Sequence, residues 1–327
     1  MPLRIHFDEA LKPGELDDLQ VRLPPETQIT QGPDLPHPAR YDVLVAGRPD
    51  QAQVAASPNL RLLIIPWAGV PESTRDLMAG YPHVTVHNLH HNAAPTAEVA
   101  VALLLAAVKR LVPLDQALRR NDWSPRYLPS QAAQLDGKTA LILGYGAIGQ
   151  RVARACQALD MKVLAVRRNP ALSGPPEVAA EIHPPGDLRR LLPQADALII
   201  TLPLTPETRG LIGAEELALL QPKAILVNVG RGPIVDEAAL YTALRSGGLG
   251  AAGLDVWYNY PADEASRVNT PPSHFPFHEL DNVVMSPHRA GDSSEIERYR
   301  MEHLARLLNA AYRGEPVPNR VDLQAGY

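Results

Sequence analysis

The sequence predicts an α/β protein made of two lobes, each a parallel sheet covered by helices, with the second lobe inserted in the first. Three observations carry that reading. Short apolar runs alternate with helical runs along most of the chain, the pattern of strands buried on both faces. The alternation is strongest between residues 136 and 290, where it counts out a doubly wound sheet. The chain has 327 residues, enough for two domains at roughly 100–200 residues each.

In the first lobe, Leu3 to Phe7, Val43 to Ala46, Leu60 to Ile65 and Val84 to Val86 read as strands bounded by Gly and Pro, and Pro71 to Ala79 as an amphipathic helix. A long helix is expected from Thr96 to Arg110. Pro113 should break or kink it, and helical pattern resumes to about Arg120. Strands then follow at Thr139–Leu143, Val163–Val166, Ala197–Leu202, Ile225–Val229, Leu249–Val256 and Asn282–Ser286. Helices at Ala147–Leu159, Asp187–Leu192, Ala214–Leu220 and Asp236–Ser246 separate them. A last helix spans Ser293 to Tyr312. If it and the Thr96 helix both cross between lobes, residues 1–100 and 291–327 form one domain and residues 101–290 the other.

Composition narrows the partners. Lys plus Arg is 31 against 36 Asp plus Glu, a net −5, which argues against a general nucleic-acid binder. The longest apolar run, Val99 to Val108, is about half of a membrane span of about 20 residues. Arg4, Asp8 and Glu9 interrupt any signal-peptide core. The single Cys156 allows no internal disulfide, so a cytoplasmic, reducing location is expected.

Leu141 to Gln150 reads LILGYGAIGQ, with Gly144, Gly146 and Gly149 at GxGxxG spacing between a strand and an Ala-rich helix. That context marks a dinucleotide-binding turn. One glycine makes the tight turn, the second admits a pyrophosphate, and the third packs helix on strand. Backbone N–H groups at the helix start, around Ala147 and Ile148, face the anion. Where a carboxylate would accept from the ribose 2′-hydroxyl, this chain has Arg167 followed by Arg168. Guanidinium groups suit a 2′-phosphate, so NADP(H) is expected over NAD(H).

Four further segments stand at strand ends: TLPLTPETRGLIG (Thr201 to Gly213), ILVNVGRGPIVDEAAL (Ile225 to Leu240), GLDVW (Gly253 to Trp257) and NVVMSPHRAG (Asn282 to Gly291). With the glycine turn they closely resemble the D-isomer-specific 2-hydroxyacid dehydrogenase family, over residues 60 to 310. The resemblance implies a Rossmann domain inserted in a flavodoxin-like α/β substrate domain, with the active site in the cleft. It implies that Arg231 binds the keto-acid carboxylate and that His288 is the acid/base. It places Asp255 at the nicotinamide carboxamide, Pro203 at the adenine end, and Asn228 and Thr96 on the cofactor side. In the first lobe it gives the Gly69 and Val70 amides, in PWAGV, and Asn92, in NAAPTAE, to the substrate. A homodimer built on the long helix is implied as well.

Two departures stand out. Pro71 replaces the usual acidic residue after the Gly–Val pair. Tyr260 occupies the position, five residues after Asp255, where the family carries the glutamate that pairs with the histidine. A tyrosine can orient the ring but adds no charge, so His288 should titrate lower than in glutamate-containing relatives. Glu264 and Glu279 are the candidate substitutes. Trp67, Tyr258 and His90 are further candidates for lining the pocket.

His83, His87, His90 and His91 are read as a loop that lines the substrate site, with no metal. The expected function is reduction of a small 2-keto acid of the glyoxylate or hydroxypyruvate type. The rivals are oxidation of formate, phosphite or a D-hydroxy acid on the same scaffold, or non-catalytic dinucleotide sensing.

Overall fold

In the computed structural model, which describes residues 2–170, 179–324 and 326, the chain divides into two compact units. One holds residues 1–92 and 292–327, the other residues 93–291. The divisions therefore fall at 92/93 and 291/292, and residues 93–100 and 291 go with the second unit.

The first unit contains β1 (Arg4–Phe7), α1 (Pro13–Arg22), β2 (Gln28–Gln31), β3 (Val43–Val45), α2 (Gln51–Ala56), β4 (Leu62–Ile65), α3 (Glu72–Ala79) and β5 (Thr85–Asn88). All strands are parallel, in the order β2-β1-β3-β4-β5. This is the flavodoxin-type order. The expected strands are present; β2 is an addition at the edge. Its sequence, QITQ, is mostly exposed and lacks the apolar run of a central strand. Helices α1 and α2 are additions too. Each is set by a local device: Pro13 opens α1, and Asp50 and Gln53 form a reciprocal capping box on α2 with bonds of 2.7 and 2.9 Å.

The second unit opens with α4 (Ala93–Val108) and α5 (Leu111–Arg119). It continues through β6 (Thr139–Leu143), α6 (Ala147–Ala158), β7 (Lys162–Val166), β8 (Glu181–His183), α7 (Leu188–Leu191), β9 (Ala197–Ile200), α8 (Ala214–Leu219), β10 (Ile225–Asn228), α9 (Glu237–Ser246), β11 (Ala251–Leu254) and β12 (Val283–Met285). Arg110 takes a left-handed conformation between α4 and α5, so the break precedes Pro113, which sits in the first turn of α5. Among the described residues the sheet has seven strands rather than six, all parallel, in the order β12-β11-β10-β9-β6-β7-β8. The extra strand is β8, three residues at the edge. Strand order reverses between β6 and β9, where Leu143 faces Ile200 in register. A ligand crevice forms beyond the carboxyl ends of strands at such a switch point.

Alternate residues of β6 feed the two faces of the sheet. Leu141 and Leu143 join Leu198, Leu226 and Leu240 on one side. Ile142 joins Leu104, Val152, Cys156 and Val227 on the other. Helix α10 (Ile296–Arg313) returns to the first unit and packs Met301, Leu304 and Leu308 over Ile5, Val43 and Ile64. No helix among the described residues is long and apolar enough to cross a membrane.

Candidate active site

The glycine turn sits on β6 at the switch point. Gly144 has φ +98°, a left-handed value that favours glycine. Its carbonyl accepts the Thr201 hydroxyl at 2.7 Å, which ties the turn to the strand end at β9. A Cβ on Gly149 would lie 2.0 Å from the Gly144 carbonyl oxygen, so only glycine lets α6 approach that closely. Gly146 is the N-cap of α6 and offers no capping side chain, and a Cβ there would meet nothing within 4 Å. Ala147 and Ile148 open the helix, whose first N–H groups and positive dipole end thus face an open approach. These residues fit a dinucleotide pyrophosphate.

Arg167 and Arg168 follow directly on β7. The Arg167 amide donates to His183 at 2.9 Å, and its charge reaches Tyr145 in the glycine turn. Glu207 is held below its ordinary carboxyl value first by its hydrogen bond with Thr205, and the exposed Arg168 charge adds to this. The carbonyl of Pro203 accepts the Thr208 hydroxyl at 2.7 Å. Thr96 is buried within α4.

At the end of β10, buried Asn228 shapes the backbone: its Oδ1 accepts from Gly230 N and its Nδ2 donates to the Arg231 carbonyl, each at 3.0 Å. Asn228 therefore fixes the backbone of the Gly230–Arg231 turn. The exposed Arg231 guanidinium rests on the Gly230 carbonyl at 2.7 Å.

His288 follows β12 with φ +55°, left-handed for a non-glycine residue. Asp255, buried at the end of β11, holds the segment: it accepts Ser286 Oγ at 2.5 Å, Arg289 N at 3.0 Å and Ala290 N at 3.0 Å. Both oxygens of the residue read as a carboxamide ligand are thus engaged by the His288 segment. Partial desolvation lowers the His288 pKa below its ordinary value; the nearby Arg231 charge lowers it further, and Asp255 opposes both. The Tyr260 ring stands 5.4 Å from the His288 ring, tilted by 58°. The Tyr260 hydroxyl accepts from Trp257 N at 3.1 Å, which anchors the phenol beside the imidazole. Glu264 pairs with Arg267 and Glu279 with His278. Tyr258 donates to the Val235 carbonyl at 3.1 Å.

In the first unit the PWAGV loop follows β4. Asn88 Nδ2 donates to the Ala68 carbonyl at 2.6 Å and Leu89 N to the Trp67 carbonyl at 3.3 Å. These bonds fix the backbone on the approach to Gly69 and Val70. Pro71 is the N-cap of α3, its φ of −61° suited to a helix entry. Asn92 closes this part of the chain, just before α4.

The histidines separate. His87 lies on β5 rather than in a loop, buried, with Nδ1 on the Pro318 carbonyl at 2.7 Å; it is structural. Burial, then Arg300, His303 and His90, push His91 down to about 4. His90 is lowered by burial and Arg306. Among the described residues no three His, Cys, Asp or Glu side chains form a metal set. Sequence reasoning missed Ser286, Thr201 and Asn88. Ser286 stands beside His288 in the SPH run, which was its one available signal.

A doubly wound sheet with this glycine turn defines a protein of the NAD(P)-binding dehydrogenase class. The model of the D-isomer specific 2-hydroxyacid dehydrogenase NAD binding domain matches residues 101–290, and the chain belongs to that family. It is 34% identical to a glyoxylate reductase of Pyrococcus furiosus over 289 residues, 85% of this chain and 81% of that one. It is 33% identical to a D-3-phosphoglycerate dehydrogenase of Archaeoglobus fulgidus over 289 residues, 87% of this chain but 52% of the relative's length. A solved D-isomer specific 2-hydroxyacid dehydrogenase from Xanthobacter autotrophicus Py2, in complex with NADPH and MES, is similar with a TM-score of 0.78 at 27% identity, covering 100% of both chains.

Proposed function

We propose that this chain reduces a small 2-keto acid of the glyoxylate or hydroxypyruvate type to a D-2-hydroxy acid, using NADPH, with His288 as proton donor. One observation carries the reading. Arg231 and His288, on loops at the carboxyl ends of two strands of one sheet, are both exposed and lie close enough for the Arg231 charge to lower the His288 pKa. A fixed cation and a proton donor side by side are what an α-keto acid needs.

When bound, the reduced nicotinamide supplies a hydride to the carbonyl carbon. Arg231 holds the carboxylate through its fork and polarises the carbonyl. The His288 imidazolium gives an N–H proton to the carbonyl oxygen and is left neutral. Gly69, Val70 and Asn92 are assigned to the carboxylate side, with His90 and Trp67 beside them. Arg167 and Arg168 take the 2′-phosphate; the Arg167 charge reaching the glycine turn supports this.

The chain also acts as a homodimer in this reading. Helix α4 buries Leu103, Leu104, Ala107 and Val108 in its own unit, so the free apolar stripe is on α5. Leu111, Leu114 and Leu118 are 58%, 43% and 50% exposed at helical spacing. The lone, buried Cys156 supports a cytoplasmic setting.

Steady-state kinetics with glyoxylate and hydroxypyruvate, NADPH against NADH, test the proposal. NADPH should be favoured, and replacing Arg167 and Arg168 by Ala should cut that preference at least about tenfold, the loss of a charge-assisted bond. Equal or better efficiency with NADH refutes the cofactor choice. No oxidation of NADPH by any keto acid refutes the reductase.

A further inference from the structure

We propose that Asp255 and Ser286 are positioning residues that set His288 for proton transfer by clamping its backbone. The inference rests on the reductase reading, since it concerns the proton donor of that site.

The clamp is built from both sides of His288. Ahead of it, Ser286 is tied at three atoms: its N donates to Leu254 O at 2.9 Å, its Oγ donates to Asp255 Oδ1 at 2.5 Å, and its carbonyl accepts the Trp257 indole N–H at 2.8 Å. Behind it, the amides of Arg289 and Ala290 converge on the same Asp255 carboxylate, each at 3.0 Å. Only Pro287 and His288 arch free between the two anchorages, and the proline ring fixes one of the remaining torsions. A non-glycine residue at φ +55° persists only where its surroundings over-determine it, and these bonds do so.

Asp255 is 1% exposed at the end of β11, so its three donors also satisfy a buried charge. The clamp holds the exposed ring beside Arg231 while leaving the imidazole nitrogens to the substrate. Tyr260 completes it: Trp257 N anchors the phenol hydroxyl, and the ring walls one side of His288.

Ser286→Ala removes one anchor with little change of volume, and Ser286→Thr restores the hydroxyl. The Ala variant should lose about tenfold in kcat with the keto-acid KM changed by less than about twofold, a misplaced donor rather than lost binding. The Thr variant should recover most of the rate. The alkaline fall of kcat/KM should move up in the Ala variant, because Asp255 then carries a less screened charge toward His288. It should move down in Asp255→Asn, which removes that charge. Wild-type kcat in the Ala variant, or equal losses in Ala and Thr, overturns the clamp. His288→Gln separates the two readings. If it abolishes reduction while Ser286→Ala stays wild-type, the clamp alone fails; if it keeps the wild-type rate, both fail.

Discussion

Placing a carboxylate where Tyr260 stands should raise the His288 pKa and extend keto-acid reduction to higher pH. Reduction needs the imidazolium, so kcat/KM is flat below the His288 pKa and falls as pH rises through it. That pKa lies below the ordinary 6.5, through desolvation and Arg231. Tyr260→Glu would bring its carboxylate near the present ring centre, 5.4 Å from that of His288. A unit charge at about 5 Å is worth about 0.8 kcal/mol in water and about 3 kcal/mol at an effective dielectric of 20. Because Tyr260 is 47% exposed, the low end applies, and the rise should be about 0.6 unit. The assay is a pH–rate profile for wild type, Tyr260→Glu and the uncharged control Tyr260→Gln. The alkaline fall should move up by about 0.6 pH unit in the Glu variant and stay within about 0.3 in the Gln variant. Equal shifts in both, or none in the Glu variant, refute the electrostatic reasoning. A wild-type profile flat to about pH 8 refutes the lowered His288 itself.

Gly149→Ala would place a methyl group 2.0 Å from the Gly144 oxygen, forcing the turn apart. It should cost about 1–3 kcal/mol in urea unfolding and weaken NADPH binding in a fluorescence titration; unchanged binding counts against the pyrophosphate assignment. Burial pushes the Cys156 thiol up to about 12, so the native protein should resist thiol reagents at pH 8 and react on unfolding. Labelling at the rate of a free thiol in the native protein contradicts this. Leu114→Asp with Leu118→Asp should convert a dimer to a monomer in light scattering with an unchanged circular dichroism spectrum; an intact dimer moves the interface elsewhere.

Strands with both faces buried were plain in the sequence, because a run such as TALIL or ILVN has no other use. The elements that escaped notice gain little from burial. β2 and β8 are polar edge strands defined by pairing with β1 and β7, and pairing leaves no mark on composition. α1 buries only Leu19 and α2 only Val54, so neither shows an apolar stripe; their start signals are Pro13 and the Asp50–Gln53 box.

The site divides along the same line. Residues whose chemistry depends on the side chain itself, Arg231 and His288, could be named from their motifs. What could not be read was which side chains spend their polarity on backbone. The family resemblance assigns Asp255 to the nicotinamide carboxamide, and a motif does not say which backbone groups a carboxylate also bonds. Its partners come from a segment more than 30 residues later, brought alongside by the β11–β12 pairing. Asn228 and Asn88 behave likewise, each bonded to loop backbone at a strand end. The missing glutamate then has a physical answer. In the family that residue supplies His with orientation and charge together. In this chain the buried Asp255 carboxylate holds the backbone after His288, and its charge opposes but does not overcome desolvation and Arg231. An imidazole in this setting is more acidic than a free one. It gives up its proton readily and is charged over a narrower pH range, a balance that favours reduction below neutrality.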